Sequence, residues 1–303
     1  MLKHKNSEPV RPRRVVVLGG YGFLGSHLVQ ELRSQGVESV AISRQDVDLA
    51  EPAVAERLAA LLLPTDSVVM LAALKVGRRQ DEDAYRLNIC MAENVRGALV
   101  AKGCQHLIYL SSDAVYSYQS ELISESSELA PSSLYAKMHL EREALFASIP
   151  DSTTCILRIA QVYGVGDPHE AYGPGRMIRT ALRENRISLF GDGEDRRDHI
   201  HVSDVVSVIC DVLALRSFGL ANLATGQSHS FFWIANAIST LLPPQVSIER
   251  EKREQPLFHR SFDIAELKQA FPSFMPLKLE DGLAVMIEGE RRLNVSKRAA
   301  VLP

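Results

Sequence analysis

Three glycines, Gly19-x-x-Gly22-x-x-Gly25, stand between the apolar run Val15-Val16-Val17-Leu18 and an amphipathic run over 26–33. That spacing suits phosphate chemistry. A strand that turns tightly into a helix leaves backbone N–H groups unpaired at the positive end of the helix dipole, and glycines let a pyrophosphate approach them. The stretch reads as a dinucleotide site, with Tyr21, Phe23 and Leu24 among its cofactor contacts. Ser43-Arg44 follows 24 residues after Gly19, at the end of the next apolar run. An acid there would hold a ribose 2′-hydroxyl and repel a 2′-phosphate, whereas an arginine pairs with that phosphate. The pair leans to NADP over NAD, with Asp46 and Asp48 near enough to oppose it.

These residues need a frame. Val15 to Leu18, 37–42 and 68–73 read as buried strands, and 51–63 between them as a helix ended by Pro64. Such alternation with right-handed crossovers implies a doubly wound parallel sheet that binds ligands at the carboxyl ends of its strands. A long helix over 85–101 and a strand over 106–110 come next, and the strand runs into Ser111-Ser112-Asp113. Catalytic candidates belong at that strand end. Ser132 or Ser133 caps a helix to about 146, on which Tyr135 and His139, four apart, share a face. After a strand over 153–159, the Gly/Pro-rich stretch 164–175 marks a switch to a smaller second region. Helices are expected there over 176–184, 204–215, 233–241 and 263–271, with short strands near 188–190 and 246–249.

The chain has 303 residues, 46% of them hydrophobic, which is ample for a full core. A net charge of −3 gives no basic field of the kind that draws nucleic acid or anionic membranes, and neither partner is expected. Cys90, Cys104, Cys155 and Cys210 lack metal-ligand spacing and read as reduced core thiols in a cytoplasmic protein, with no metal site expected. No segment approaches 18 unbroken apolar residues. Residues 1–12 read as a mobile leader and 291–303 as a frayed tail.

Taken in order, these motifs resemble the extended short-chain dehydrogenase/reductase family, in its NAD-dependent epimerase/dehydratase branch, over about residues 15–283. Besides the glycines, Asp48-Leu49 is similar to the acid-apolar pair that holds adenine. Leu71-Ala72-Ala73-Leu74-Lys75 resembles the strand and loop flanking the cofactor, with Leu71, Ala72, Ala73 and Lys75 as contacts, and Asn88 matches the helix asparagine. Ser112 matches the catalytic serine, Tyr135 the catalytic tyrosine, and 190–204, with Arg197-Asp198, the substrate-side signature. The resemblance implies a Rossmann domain over 13–163 and a discontinuous substrate lobe over 164–290 with segments returning to the first domain. It implies NAD or NADP as cofactor, a nucleotide-sugar substrate and a homodimer. It further implies an epimerase or 4-ketoreductase in which Tyr135 takes a proton from a sugar hydroxyl as hydride leaves, Ser112 orients the oxygen, and Arg197, with Arg260 second, meets the substrate diphosphate. A cofactor-binding sensor without turnover is the competing reading.

The chain departs from the family at four places. The lysine four residues beyond the tyrosine is His139 here, so the expectation is a less acidic Tyr135 and slow turnover at neutral pH, since histidine supplies charge only when protonated. Asp113 matches the acid of sugar dehydratases, but Ala114 replaces their glutamate, which disfavours loss of water. Ser43-Arg44 replaces the ribose-binding acid. Gln161 stands where a substrate-contacting asparagine is usual.

Overall fold

The computed structural model describes residues 2–74, 81–150, 152–168 and 173–299, with side chains to 293. Lys75, expected at the cofactor, lies outside the described residues. In chain order the elements begin with β1 (Lys3–His4), β2 (Arg14–Leu18), α1 (Phe23–Ser34), β3 (Glu38–Ile42), α2 (Val54–Leu61), β4 (Ser67–Met70) and α3 (Glu82–Lys102). They continue through β5 (His106–Ser112), β6 (Leu122–Ile123), α4 (Leu134–Ala147), β7 (Thr153–Ile159), β8 (Gln161–Tyr163), α5 (Pro174–Glu184), β9 (Arg186–Phe190) and β10 (Arg196–His201). The chain closes with α6 (Val202–Leu215), β11 (Ser217–Leu223), β12 (Ser228–Ser230), α7 (Phe231–Leu241), β13 (Ser247–Glu251), β14 (Ser261–Phe262), α8 (Ala265–Ala270) and α9 (Leu279–Ala299).

Two compact units divide the chain: 1–160 with 205–223 and 264–274, and 161–204 with 224–263 and 275–303. The first is a Rossmann-type sheet of seven strands in the order β1-β11-β7-β5-β4-β2-β3. Its strands run parallel except β1, which is antiparallel to β11. Chain order reverses at β2, which lies between β3 and β4, so the crevice for a ligand opens beyond the carboxyl ends of those strands. Val15, Val16, Val17 and Leu18 are buried because a central parallel strand is covered on both faces. The second unit packs a three-stranded sheet, β12-β10-β8, and a parallel pair, β13-β9, with a core that includes Ile178, Leu189, Ile234, Leu283 and Met286.

Several expectations change. The leader is not loose: Lys3 and His4 pair with Phe218 and Ser217, and the His4 ring bonds the Ser217 hydroxyl at 2.7 Å and the Ala270 carbonyl at 3.0 Å. A polar edge strand has no hydrophobic alternation to announce it. Residues 291–299, expected to fray, continue α9. β4 stops at Met70, and Leu71-Ala72-Ala73, expected as strand, form the loop beyond it.

Helix α4 is seated on the sheet by a buried charged network. Glu143 accepts two hydrogen bonds from Arg158 of β7, at 2.6 and 3.0 Å, and one from the Ser111 hydroxyl of β5. The Arg158 guanidinium lies 4.9 Å from the centre of the Tyr116 ring, whose hydroxyl donates to Asn222 of β11 at 2.6 Å. Removing one partner of such a pair leaves a buried charge uncompensated, whereas an apolar replacement of both avoids that penalty. Glu143→Ala is expected to cost about 3–5 kcal/mol in denaturant unfolding, and Glu143→Leu with Arg158→Met to recover most of it. Equal losses in the single and double variants would show that the pair's charges are not what seats the helix.

Candidate active site

The glycine turn follows β2 directly. Gly19 has φ +86°, and a Cβ there would come within 2.9 Å of the Ala72 backbone nitrogen, so the β2 turn and the loop after β4 touch only because Gly19 has no side chain. A Cβ on Gly25 would lie 2.2 Å from the Gly19 carbonyl oxygen, and one on Gly20 2.7 Å from the Ala41 Cβ. Gly22 is different. Its φ of −72° suits any residue, and a Cβ would meet only the Gly19 oxygen, at 3.3 Å. The fold itself barely requires this glycine. Gly22 caps α1 without a side-chain hydrogen bond, and no acid lies in the helix's first turn, so its N–H groups and dipole stay open to an anion. The residues fit a pyrophosphate.

Asn88 of α3 is fully buried and shapes the rim without facing a ligand. Its carbonyl accepts from the Leu74 N–H at 2.9 Å, and its amide donates to the Leu74 and Ala84 carbonyls at 3.0 and 2.8 Å. It clamps the loop that carries Leu71, Ala72 and Ala73. At the end of β3 the Asp46 carboxylate accepts from the Ser43 N–H at 2.8 Å and hydroxyl at 2.7 Å, while Arg44 pairs with Asp48 at 2.8 Å. Arg44, on which the lean to NADP rests, is thus paired with an acid, and a second acid stands beside the serine. Those bonds hold the Asp46 carboxyl below its ordinary range, Ser43 first among the causes. Asp48 accepts from Arg44 at 2.8 Å and from the Ala50 N–H at 3.1 Å, and the Leu49 side chain is in the core.

Ser112 and Tyr135 come together. The Ser112 hydroxyl and the Asp113 carboxylate lie close enough to the Tyr135 phenol to act on its ionisation, the first favouring it and the second opposing it. Ser133 caps α4 by accepting the Ala136 N–H at 3.1 Å and so sets Tyr135 in the helix's first turn. Tyr135 is 38% exposed as a residue, yet desolvation pushes its hydroxyl above the ordinary tyrosine range; the nearby Ser112 hydroxyl opposes this, Asp113 adds to it, and Arg142 opposes it.

His139 is buried against two tyrosines. Its Nδ1 shares a 2.7 Å hydrogen bond with the Tyr109 hydroxyl, and its ring meets Tyr135 edge-on with centroids 4.6 Å apart. Burial first, then the charge of Arg142, pushes its pKa down to about 3. Burial thus favours the neutral imidazole at the place where a lysine would carry a charge. Tyr109 and Arg142 went unnoticed in the sequence, whereas Asp46 was read only as a residue opposing Arg44. Of these, only Arg142 left a signal, its place seven residues beyond Tyr135 on the same helix face.

The remaining expected residues lie in the second unit. Arg197 donates to the Phe258 and Arg196 carbonyls and stacks 4.2 Å from the Phe258 ring, and Arg260 stacks on the same ring at 5.0 Å. Two guanidinium groups therefore converge on one aromatic side chain. Gln161 is exposed at the start of β8, opposite His199 in the register. Asp198 is buried and holds Thr225 and Gly226 through bonds of 2.8–3.0 Å.

A parallel sheet with an uncapped glycine turn at its switch point, and a serine–tyrosine pair at the end of the next strand but one, defines a dinucleotide-binding enzyme fold. The chain belongs to the NAD dependent epimerase/dehydratase family, whose sequence model matches residues 15–222. It is similar to MoeE5, solved with UDP-glucose and NAD, at 28% identity and a TM-score of 0.82 over 93% of this chain and 99% of that one. Similar curated proteins include UDP-glucuronic acid decarboxylase 2 of Arabidopsis thaliana, 24% identical over 92% of this chain and 68% of that protein. Another is dTDP-4-dehydrorhamnose reductase of Mycobacterium tuberculosis, 28% identical over 60% of each. No helix among the described residues is long and apolar enough to cross a membrane.

Gly22→Val separates the two uses of glycine. It is expected to fold with a melting temperature near that of the native protein and to lose NAD binding in calorimetry, whereas Gly25→Ala is expected to cost about 1–3 kcal/mol of stability through overpacking. Native NAD affinity in a folded Gly22→Val protein would show that the turn does not hold the pyrophosphate.

Proposed function

We propose that this chain is an NAD-dependent epimerase of nucleotide sugars. The observation that carries this is Ser112 set close beside the Tyr135 phenol, in the same unit as the open glycine turn. NAD, when bound, supplies a hydride acceptor. The chain supplies the rest: Tyr135 takes the proton of the sugar hydroxyl and later returns it, and Ser112 holds the reacting oxygen. His139 keeps its Nε2 outside the Tyr109 bond, where it suits a cofactor ribose hydroxyl. The open N–H groups of α1 hold the pyrophosphate, and Asp46 is the acid for the adenosine ribose. Arg197 and Arg260 supply cations for the substrate diphosphate, with Gln161 toward the sugar. The MoeE5 complexes with UDP-glucose and with UDP-glucuronic acid support a uridine nucleotide as the first to try. A 4-ketoreductase is the second reading, supported by the similarity to dTDP-4-dehydrorhamnose reductase. Elimination of water is disfavoured, because Asp113 has Ala114 beside it and no second acid/base partner in that turn. A homodimer and a reducing, cytoplasmic setting, in keeping with the protonated buried thiols of Cys104 and Cys155, belong to the same proposal.

The native protein is expected to interconvert UDP-glucose and UDP-galactose, or a related pair, when products are separated by chromatography, and Tyr135→Phe to lower the rate by about 10²–10⁴-fold. A protein that binds NAD and alters no nucleotide sugar would be the sensor; net consumption of reduced cofactor with a keto sugar would make it the reductase.

For cofactor choice, NAD is expected to bind more tightly than NADP, and Asp46→Asn to narrow the gap by about tenfold, since removing a carboxylate relieves its repulsion of a 2′-phosphate. NADP bound more tightly by the native protein, and weakened by Arg44→Ala, would restore the arginine as the selector.

A further inference from the structure

Arg142 is the charge in this unit that the proposed reaction has not used. It is fully buried. Its Nη2 donates to the Ala72 carbonyl at 3.0 Å, its Nη1 reaches the Met138 sulfur at 3.7 Å, and its Nε has no hydrogen-bond partner. Its central carbon lies 5.1 Å from the Tyr109 ring centre and 5.9 Å from that of Phe146. Among the described residues no carboxylate pairs with it, and the neighbouring Glu143 is committed to Arg158 and Ser111. A guanidinium keeps its proton in proteins, so this is a permanent positive charge without a counter-ion, an arrangement that is costly in a fold unless an anion forms beside it.

The groups around it narrow the choice of anion. Two phenols lie within reach of its charge, Tyr109 from β5, whose ring it packs against, and Tyr135 from its own helix. Tyr109 is 1% exposed and locked to His139, and burial drives its hydroxyl far up, so it stays protonated. Tyr135 is the residue of the two that is partly exposed, and it has Ser112 beside its hydroxyl. Tyr135, His139 and Arg142 recur at i, i+4 and i+7, one stripe of α4, with the neutral imidazole in the middle. The other charge acting on Tyr135, Asp113 at the end of β5, works against ionisation.

We propose that Arg142 is the fixed cation that stabilises the phenolate of Tyr135, from one turn further along α4 than the position a lysine at 139 would take. His139 is then a neutral spacer that keeps Tyr109 from competing for the charge. Arg142 is a positioning residue, acting on substrate only through Tyr135. Through its bond to Ala72 it also ties this charge to the loop against which Gly19 packs, so the acid/base group and the cofactor turn share one anchor. This rests on the reading of Tyr135 as the acid/base group.

The test is the titration of Tyr135, followed by NMR of protein labelled at the tyrosine ζ-carbon, assigned with Tyr135→Phe, in the free protein and in its NAD complex. Native Tyr135 is expected to titrate below Tyr109, and Arg142→Met to raise its midpoint by about one pH unit or more. His139→Gln is expected to leave the midpoint within a few tenths of a unit. His139→Lys added to Arg142→Met is expected to lower the midpoint again, which a merely structural loss would not allow. A folded Arg142→Met protein with an unmoved midpoint, or a His139→Gln protein that shifts as far, overturns the assignment. Should Arg142→Met not fold, the native protein alone decides, because a Tyr135 in the NAD complex that has not begun to titrate by pH 11 has no effective cation. The titration needs no substrate, so an Arg142-dependent midpoint without turnover of any nucleotide sugar sinks the reaction and keeps the cation, and the reverse result does the opposite.

Discussion

The ion pair between Glu143 and Arg158 fixes how α4 is rotated on the sheet, and the site depends on that rotation. With Glu143 held against β5 and β7, the stripe through Tyr135, His139 and Arg142 is turned toward the end of β5 and the loop after β4. A helix has about 100° between successive residues, so seating one side chain in a charged pocket settles where all the others point. A hydrophobic seat tolerates sliding; a bidentate pair of 2.6 and 3.0 Å does not. The second docking of α4, from Tyr85 of α3 to Glu141, works at the helix's outer face.

Polar side chains in this unit divide between holding loops and facing a ligand, and the division is visible in how fully each is satisfied. Asn88 spends its side chain on backbone groups and cannot turn to a cofactor without releasing the loop it clamps. Asp198 does the same in the second unit, where burial pushes its carboxyl up to about 6 against four hydrogen bonds that favour the anion. The open N–H groups of α1 and the phenol of Tyr135 have no such structural duty. That contrast is what the proposed reading of them rests on.

Much of the frame was legible because its strands are β-branched and buried on both faces: 15–18, 68–70 and 153–159 are strands where the apolar runs place them. β11 was not, since Ser-Phe-Gly-Leu-Ala-Asn-Leu mixes a glycine and an asparagine into a central strand and is recruited by its neighbour β7. β1 was missed for a related reason, because an edge strand of lysine and histidine is held by backbone pairing alone. In the site, it was the resemblance to the family that named Ser112 and Tyr135 together, and the two lie close to one another. Types and spacing could not show that Arg44 turns to Asp48, that Asp46 turns to Ser43, or that Tyr109 takes the His139 nitrogen, because each depends on a side-chain rotation chosen by neighbours distant in sequence or on a local turn.

The two-residue strand at the start of the chain bears on how copies of this protein meet one another. β11 pairs with β7 on one side and with Lys3 and His4 on the other, so the outer row of its backbone donors and acceptors is partly covered. Uncovered, such a row is a template for a strand from another molecule. A lysine on the covering strand adds repulsion between like edges. Anything that peels this short segment away, a bulky fusion or a proteolytic nick before Arg14, would leave the dinucleotide site untouched while opening the sheet to self-association, so that loss from solution would precede loss of catalysis.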